Sequence, residues 1–326
     1  MLIRKISVIM ISLAIVLVSA FSQESPKKAE KPHDPMYKIL VRFPVNVSKK
    51  YIYNENSKIT RVFSNGNEQN FTRDMTYHFS LRAPSAVDKQ GFQMIEVSVD
   101  SLEYKYTSKD TTIYFNDQRD DLRPPKLDDY QNRMVQLGLD FQMTYSPYQE
   151  VAKVHGDMLL DKRKYLTDPA TAPQDELNKA SWMNGLSDET LVNLFDVVKG
   201  FPPQHKIDVD SSWSKEILCE IEGGRFLDSV TFTLTNFNIQ SYTFKGVSNN
   251  FIPVESLVRL FGLSQLIDFT DAEGTSEYTI KMHPRGSINS LEAKYNILLT
   301  YQVANDFIQQ KVEITKTWTL DKMYNW

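Results

Sequence analysis

Hydrophobic and polar residues alternate along most of the chain. Tyr37, Ile39, Val41 and Phe43 are spaced by Lys38 and Arg42, and Met75, Tyr77, Phe79 and Leu81 by Thr76, His78 and Ser80. The same period of two runs through Ile95, Val97 and Val99, and through Leu139, Phe141, Met143 and Tyr145. It returns in Val230, Phe232 and Leu234, in Tyr278, Ile280 and Met282, and in Ile297, Leu299, Tyr301 and Val303. Val312, Ile314, Trp318 and Leu320 are interleaved with Glu313, Thr315, Thr317 and Thr319. Strands with one apolar and one polar face predict antiparallel sheets covered on one side, not a doubly buried parallel sheet.

The joints carry turn chemistry. Asn65-Gly66 separates the strand over 59–63 from one beginning near Phe71, and an Asn-Gly pair is a strong hairpin signal. Further turns are predicted at Glu222-Gly223-Gly224, at Ala272-Glu273-Gly274 and at Pro284-Arg285-Gly286. Helices are few. Ser187 can cap a helix with Asp188 and Glu189 in its first turn and Leu191, Leu194, Phe195 and Val198 on one face, closed by Gly200 and stopped by Pro202-Pro203. Residues 174–183 form a weaker helical stretch, Pro253 can open a helix across 255–261, and 128–136 is a fourth candidate. The expected fold is mainly β, with antiparallel sheets in a curved-sheet or sandwich architecture.

The segment FQMTYSPYQEV at 141–151 echoes YTIKMHPRGSI at 278–288: an alternating strand, an X-Pro turn, a return strand. Two organisations stay open. Either 36–168 and 205–326 are two duplicated β-rich halves joined by a helical connector over 169–204, or they form one continuous domain.

The first twenty residues break the alternation. Arg4 and Lys5 precede an uncharged apolar run over 6–18, followed by Ser19 and Ala20. A basic start, an apolar stretch and small residues describe a secretory signal peptide, with cleavage between Ala20 and Phe21. The run is shorter than the roughly 20 residues that span a bilayer, and no cysteine follows it to carry a lipoprotein anchor. Residues 21–35, polar and holding three prolines, read as a flexible tether. The expected location is the periplasm or the outside of the cell, with no membrane span after cleavage.

With 326 residues, 41% hydrophobic and 24% charged, the chain can build a substantial core. A net charge of −4 leaves no basic footprint for nucleic acid. One cysteine, Cys219, excludes an intrachain disulfide framework and cysteine-built metal centres; flanked by Ile217 and Ile221 at alternate positions, it reads as a buried thiol.

The chemistry-bearing motifs are weak. None of His33, His78, His155, His205 and His283 lies three or four residues from another, so helical ligand pairs are excluded and solvated histidines are the simpler reading. Asp208, Asp210 and Ser212 imitate the start of a calcium loop, but Trp213 stands where glycine is needed and Cys219 where a bidentate glutamate should be. Ser212 and Lys215 match Ser-x-x-Lys, with Lys316-Thr317-Trp318 a near miss for Lys-Thr-Gly, yet the segment runs into a strand, where such a serine needs a helix. Asp117, Asp120, Asp121, Asp128 and Asp129 cluster in a proline-containing stretch; a solvated loop is the simpler reading, a carboxylate pair the alternative. Phosphate-cradling glycine motifs do not occur. Tyr51, Tyr53, Tyr104, Tyr106 and Tyr114 fit strand packing better than a sugar- or peptide-binding surface, and Trp213 and Trp318 read as core anchors. No catalytic, cofactor-binding or metal-ligating residue is assigned, and no cofactor is expected.

The leader ending in SAFSQ, the strand–turn–strand over 141–154, the helical connector, the stretch FPPQHKIDVDSSW at 201–213 and the hairpin over 278–291 together resemble an uncharacterised family of secreted, β-rich bacterial proteins of Bacteroidota type. That family carries a Pro–x–Lys–Val–Gly–Asp–x–Trp-like segment, from which this chain departs with Val209 in place of the glycine. The resemblance implies a domain of unknown function and transfers no site residue. Three readings follow. The first is a non-enzymatic exported β protein binding an apolar ligand such as a lipid, or an envelope protein, beneath a helical lid on a curved sheet. The second is a structural module without ligand. The third is an extracytoplasmic hydrolase of cell-wall sugar or peptide.

Overall fold

The computed structural model describes residues 36–117, 132–172, 176–254, 257–258, 260, 267–303 and 306–325. The Ala20–Phe21 junction and the tether lie outside the described residues, as do Asp120, Asp121, Asp128 and Asp129.

The alternating segments become long strands. They are β1 (Val47–Phe63), β2 (Glu68–Arg82), β3 (Gln93–Ser108), β4 (Thr112–Asn116), β5 (Asp140–Tyr145) and β6 (Val151–His155) in the first part. Three helices follow, α1 (Asp157–Thr167), α2 (Glu176–Gly185) and α3 (Asp188–Phe195). The remaining strands are β7 (Ser212–Ile221), β8 (Gly224–Phe237), β9 (Tyr242–Ser248), β10 (Phe251–Pro253), β11 (Leu257–Val258), β12 (Ile267–Met282), β13 (Ile288–Val303) and β14 (Asp306–Asn325).

All pair in one 14-stranded sheet in the order β10-β8-β9-β12-β13-β14-β1-β2-β3-β5-β6, with β11 on β12, β4 on β3 and β7 on β8. Among the described residues every ladder is antiparallel, and the sheet is not closed into a barrel. The first and last strands pair along their whole length, from Val47 opposite Asn325 to Phe63 opposite Ile308. Strands from the 36–168 and 205–326 segments therefore share one ladder system, with β1 against β14 as the seam. Residues 37–326 form one compact unit.

The turns explain the registers. Gly66, at φ 81°, closes β1 onto β2 with its N–H donating to Phe63 O at 2.8 Å. Glu222 and Gly223 both have positive φ, which suits the tight turn joining β7 and β8. Gly286, at φ 95°, turns β12 into β13.

The sheet is strongly curled. Glu222, at the β7–β8 turn, reaches Arg73 on β2, although six ladders separate β8 from β2 in sheet order. One face of β1, β2, β13 and β14 thus lies beneath the β7–β8 hairpin and α3. Breaks of register at Lys50/Tyr51, His78/Phe79 and Phe269/Asp271 add local bend and twist. Ser187 caps α3 as expected, its hydroxyl accepting from Thr190 N. Phe195 then meets Tyr77, Phe79 and Phe141 edge-on, with ring centroids 5.2–5.8 Å away. Trp213 and Trp318 are anchors, their indole N–H groups donating to Phe201 O at 2.7 Å and Leu194 O at 2.6 Å.

Three local expectations change. The alternating segment 37–43 buries Ile39, Val41 and Phe43 but joins no strand; only Tyr37 makes an isolated bridge, to Ile207. Ala272, Glu273 and Gly274 lie inside β12, where a Cβ on Gly274 would sit 2.3 Å from Asn296 O, so this glycine serves close approach of two strands. Leu257 and Val258 pair with β12 as a short strand, not a helix. Helix α1 was unforeseen: its residues lack a clear apolar stripe, and it docks mainly through Leu159 and Leu166.

Candidate functional site

The segment before β1 supplies one wall of a cleft at the end of the sheet. Leu40, Val41, Arg42, Phe43, Pro44 and Val45 face the β2–β3 loop at Ala86, Val87 and Gly91. The β5–β6 turn closes the other side at Pro147 and Gln149, and Val198, just past α3, forms part of the wall. The cleft encloses about 600 Å³ and its lining is predominantly apolar, a size within the roughly 300–1,000 Å³ of small-molecule sites. A smaller space of about 150 Å³ adjoins it around Tyr148, Pro202 and Pro203, sharing Leu40, Pro147 and Gln149.

Side chains do the work of a missing strand here. Gln149 takes positive φ and turns its amide onto Val41, accepting from Val41 N at 2.8 Å and donating to Val41 O at 2.6 Å. Gln93 donates to Phe43 O at 2.9 Å, and Arg42 N donates to Gly286 O at 2.8 Å. Val41 N and O, Arg42 N and Phe43 O are thereby paired without a ladder, and the surface left toward the cleft is mainly aliphatic. Gly91, at φ 90°, lets the β2–β3 loop touch the opposite wall: a Cβ there would lie 2.8 Å from Pro147 Cγ.

The floor is rigid. Tyr145 stacks on Phe43 at 5.5 Å, and its hydroxyl donates to Asp196 Oδ1 at 2.7 Å. Asp196 also accepts from Val198 N and Lys199 N, and burial pushes its carboxyl above the ordinary value against those hydrogen bonds. Behind Phe43 lies Lys49, 1% exposed, with its ammonium donating to Arg42 O at 2.7 Å and lying 4.8 Å from the Phe43 ring centre. Burial pushes this lysine down to about 8.

A separate ionic cluster sits under the curled sheet. Glu55 meets Arg73 at 3.4 Å and Lys316 at 3.7 Å, and accepts from Tyr53 OH at 2.5 Å. Arg73 also meets Glu222 at 2.6 Å, and Lys316 donates to Glu220 O at 2.8 Å. Burial pushes the Glu55 carboxyl up, but Lys316, Arg73, Arg133 and the Tyr53 hydroxyl outweigh it and hold the group down to about 2. The cluster pins the β7–β8 hairpin onto β1, β2 and β14.

The candidates raised by the sequence do not assemble. Ser212 is hydrogen-bonded to Thr233 at 2.7 Å, Lys215 pairs with Glu150 at 2.9 Å, and Lys316 lies in the ionic cluster, so no Ser–Lys pair forms. Asp117 accepts from Leu102 N. Among the described residues no three His, Cys, Asp or Glu side chains gather as a metal group. His78 is exposed on β2, and His283 accepts from Arg285 N. Cys219 is buried and free, and burial raises its thiol. Tyr51, Tyr53 and Tyr104 are core residues; Tyr114 is exposed and reaches Glu103. Among the described residues no helix is long and apolar enough to cross a membrane.

No curated protein matches this sequence. Among solved structures, lipovitellin, in a study of its lipid–protein interactions, superposes with a TM-score of 0.50 and 9% identity over 87% of this chain. This chain spans 26% of the lipovitellin chain, and the likeness is one of fold. OpdQ of Pseudomonas aeruginosa has a TM-score of 0.21 at 8% identity, covering 83% of this chain and 98% of its own. The LolA superfamily protein NE2245 of Nitrosomonas europaea has 0.16 at 5% identity, covering 86% and 90%. Both values are too low to bear on the fold. A family model does match, over residues 90–282, which is more than half of the sequence, and the chain belongs to the family of unknown function DUF6263.

Proposed function

We propose that this protein is an exported carrier that holds an apolar molecule, a lipid or an acyl chain, in the cleft between residues 40–45 and the β2–β3 and β5–β6 connections. The observation that carries the reading is the cleft itself: about 600 Å³ of mostly apolar space whose nearby backbone groups are satisfied by Gln93 and Gln149. Such a wall rewards apolar contact at roughly 25 cal/mol per Å² buried and offers few competing polar partners. The fold shared with lipovitellin, whose structure concerns lipid–protein interactions, supports the same class of ligand. Export rests on the leader and its Ala20–Phe21 junction.

Native mass spectrometry of protein purified from its own cells tests the reading. A stoichiometric extra mass that leaves on solvent extraction, on a chain beginning at Phe21, is expected. A bare mass that takes up no lipid on incubation with an extract of the same cells overturns it.

A further inference from the structure

We propose that the occupant of the cleft is an anionic amphiphile, an acyl chain ending in a carboxylate, with the head group placed at the Arg42 side of the wall. This deepens the reading above and rests on it.

The charge on the lining of the cleft is one-sided. Arg42 is the single charged residue of its lining. Arg42 is exposed, and no ion pair found among the described residues involves it. Lys49, one layer behind, is held by the Arg42 carbonyl and the Phe43 ring, again with no carboxylate partner among them. The carboxylates of Glu150, Asp88 and Asp196 lie outside the lining and are held by other groups. Glu150 pairs with Lys215 at 2.9 Å. Asp88 accepts from Gln90 N and Phe92 N within its own loop. Asp196 is taken by Tyr145 OH, Val198 N and Lys199 N.

Two cations outside any ion pair among the described residues therefore lie at this wall, Arg42 in the lining and Lys49 behind Phe43. A buried ammonium normally carries a partner, because desolvating it alone is costly. Lys49 sits in a low-dielectric wall, where its field on the cleft is screened less than at a surface. An anion at the Arg42 edge would gain from both charges; a neutral head group would gain from neither, and a cationic one would be repelled.

The test titrates the purified mature protein with oleate, oleyl alcohol and oleylamine at submicellar concentration, by displacement of the neutral probe N-phenyl-1-naphthylamine. Oleate is expected to bind at least tenfold more tightly than oleyl alcohol, with oleylamine weakest. Arg42→Gln, an exposed change, and Lys49→Met should each weaken oleate severalfold more than they weaken oleyl alcohol, so that the ratio of the two affinities falls. Equal affinities for oleate and oleyl alcohol, or an oleate preference that survives in Arg42→Gln, overturn the anionic assignment and leave the apolar reading standing. Absence of saturable binding by all three overturns the apolar reading itself.

Discussion

Replacing Lys49 by methionine should make the ligand-free protein more stable. The side chain is almost fully buried and its ammonium keeps one hydrogen bond, to Arg42 O. Its ionisation falls from 10.5 to about 8 on folding, and at ~1.4 kcal/mol per pH unit the charged form costs the folded state on the order of 3 kcal/mol at neutral pH. Methionine fills a similar volume, removes that cost and forfeits one hydrogen bond, worth about 1 kcal/mol. The expected net gain is about 2 kcal/mol. The pH dependence has a definite sign. Between about 8 and 10.5 the unfolded lysine still holds a proton that the folded one has lost. Wild-type stability therefore rises through that window relative to Lys49→Met, whose own curve lacks this contribution. Urea unfolding of both proteins from pH 7 to 10.5 measures the difference, which cancels the other titrating groups. A variant less stable at pH 7, or two curves that run parallel through the window, would refute the reasoning.

Other consequences can be checked independently. Glu55→Gln should cost about 3 kcal/mol, because buried Lys316 loses its carboxylate partner while Arg73 keeps Glu222; because the Glu55 carboxyl is held down to about 2, the wild type should lose this stabilisation as pH falls from 4.5 toward 2, and the variant should not, as acid unfolding curves would show. Gly91→Ala should destabilise by about 1–2 kcal/mol, since φ is 90° and the new Cβ meets Pro147 at 2.8 Å; thermal unfolding reads this out. Shortening a saturated fatty acid by two carbons should weaken binding about 15-fold, at ~0.8 kcal/mol per buried methylene, and a flat chain-length series would show that the chain is not enclosed.

The strands were legible because burial follows a period of two that survives even the bends. The strap at 37–43 shows the limit of that signal: alternation reports which residues face the core, not whether a neighbouring strand exists to pair with them. Its pairing comes from Gln149, a non-glycine residue at positive φ whose role has no local sequence pattern. The cleft was equally hidden, since its walls come from segments that the chain brings together only through long-range strand pairing. One usable signal was present. On β1 the inward positions read Lys49, Tyr51, Tyr53, Glu55, Ser57, Ile59 and Arg61. Charged residues at inward register mark the places where this core is not simply apolar, and they locate both the ionic cluster and the lysine behind the cleft.

The central claim is that an acyl chain lies in this cleft, and photo-crosslinking addresses it most directly. Mature protein would be loaded with a fatty acid bearing a diazirine at mid-chain, irradiated, digested and sequenced by mass spectrometry. Labels concentrated on peptides containing 40–45, 86–93 and 145–149, and competed away by unlabelled oleate, are the predicted result. Labels spread over the outward faces of the sheet, or unaffected by competitor, would contradict the account.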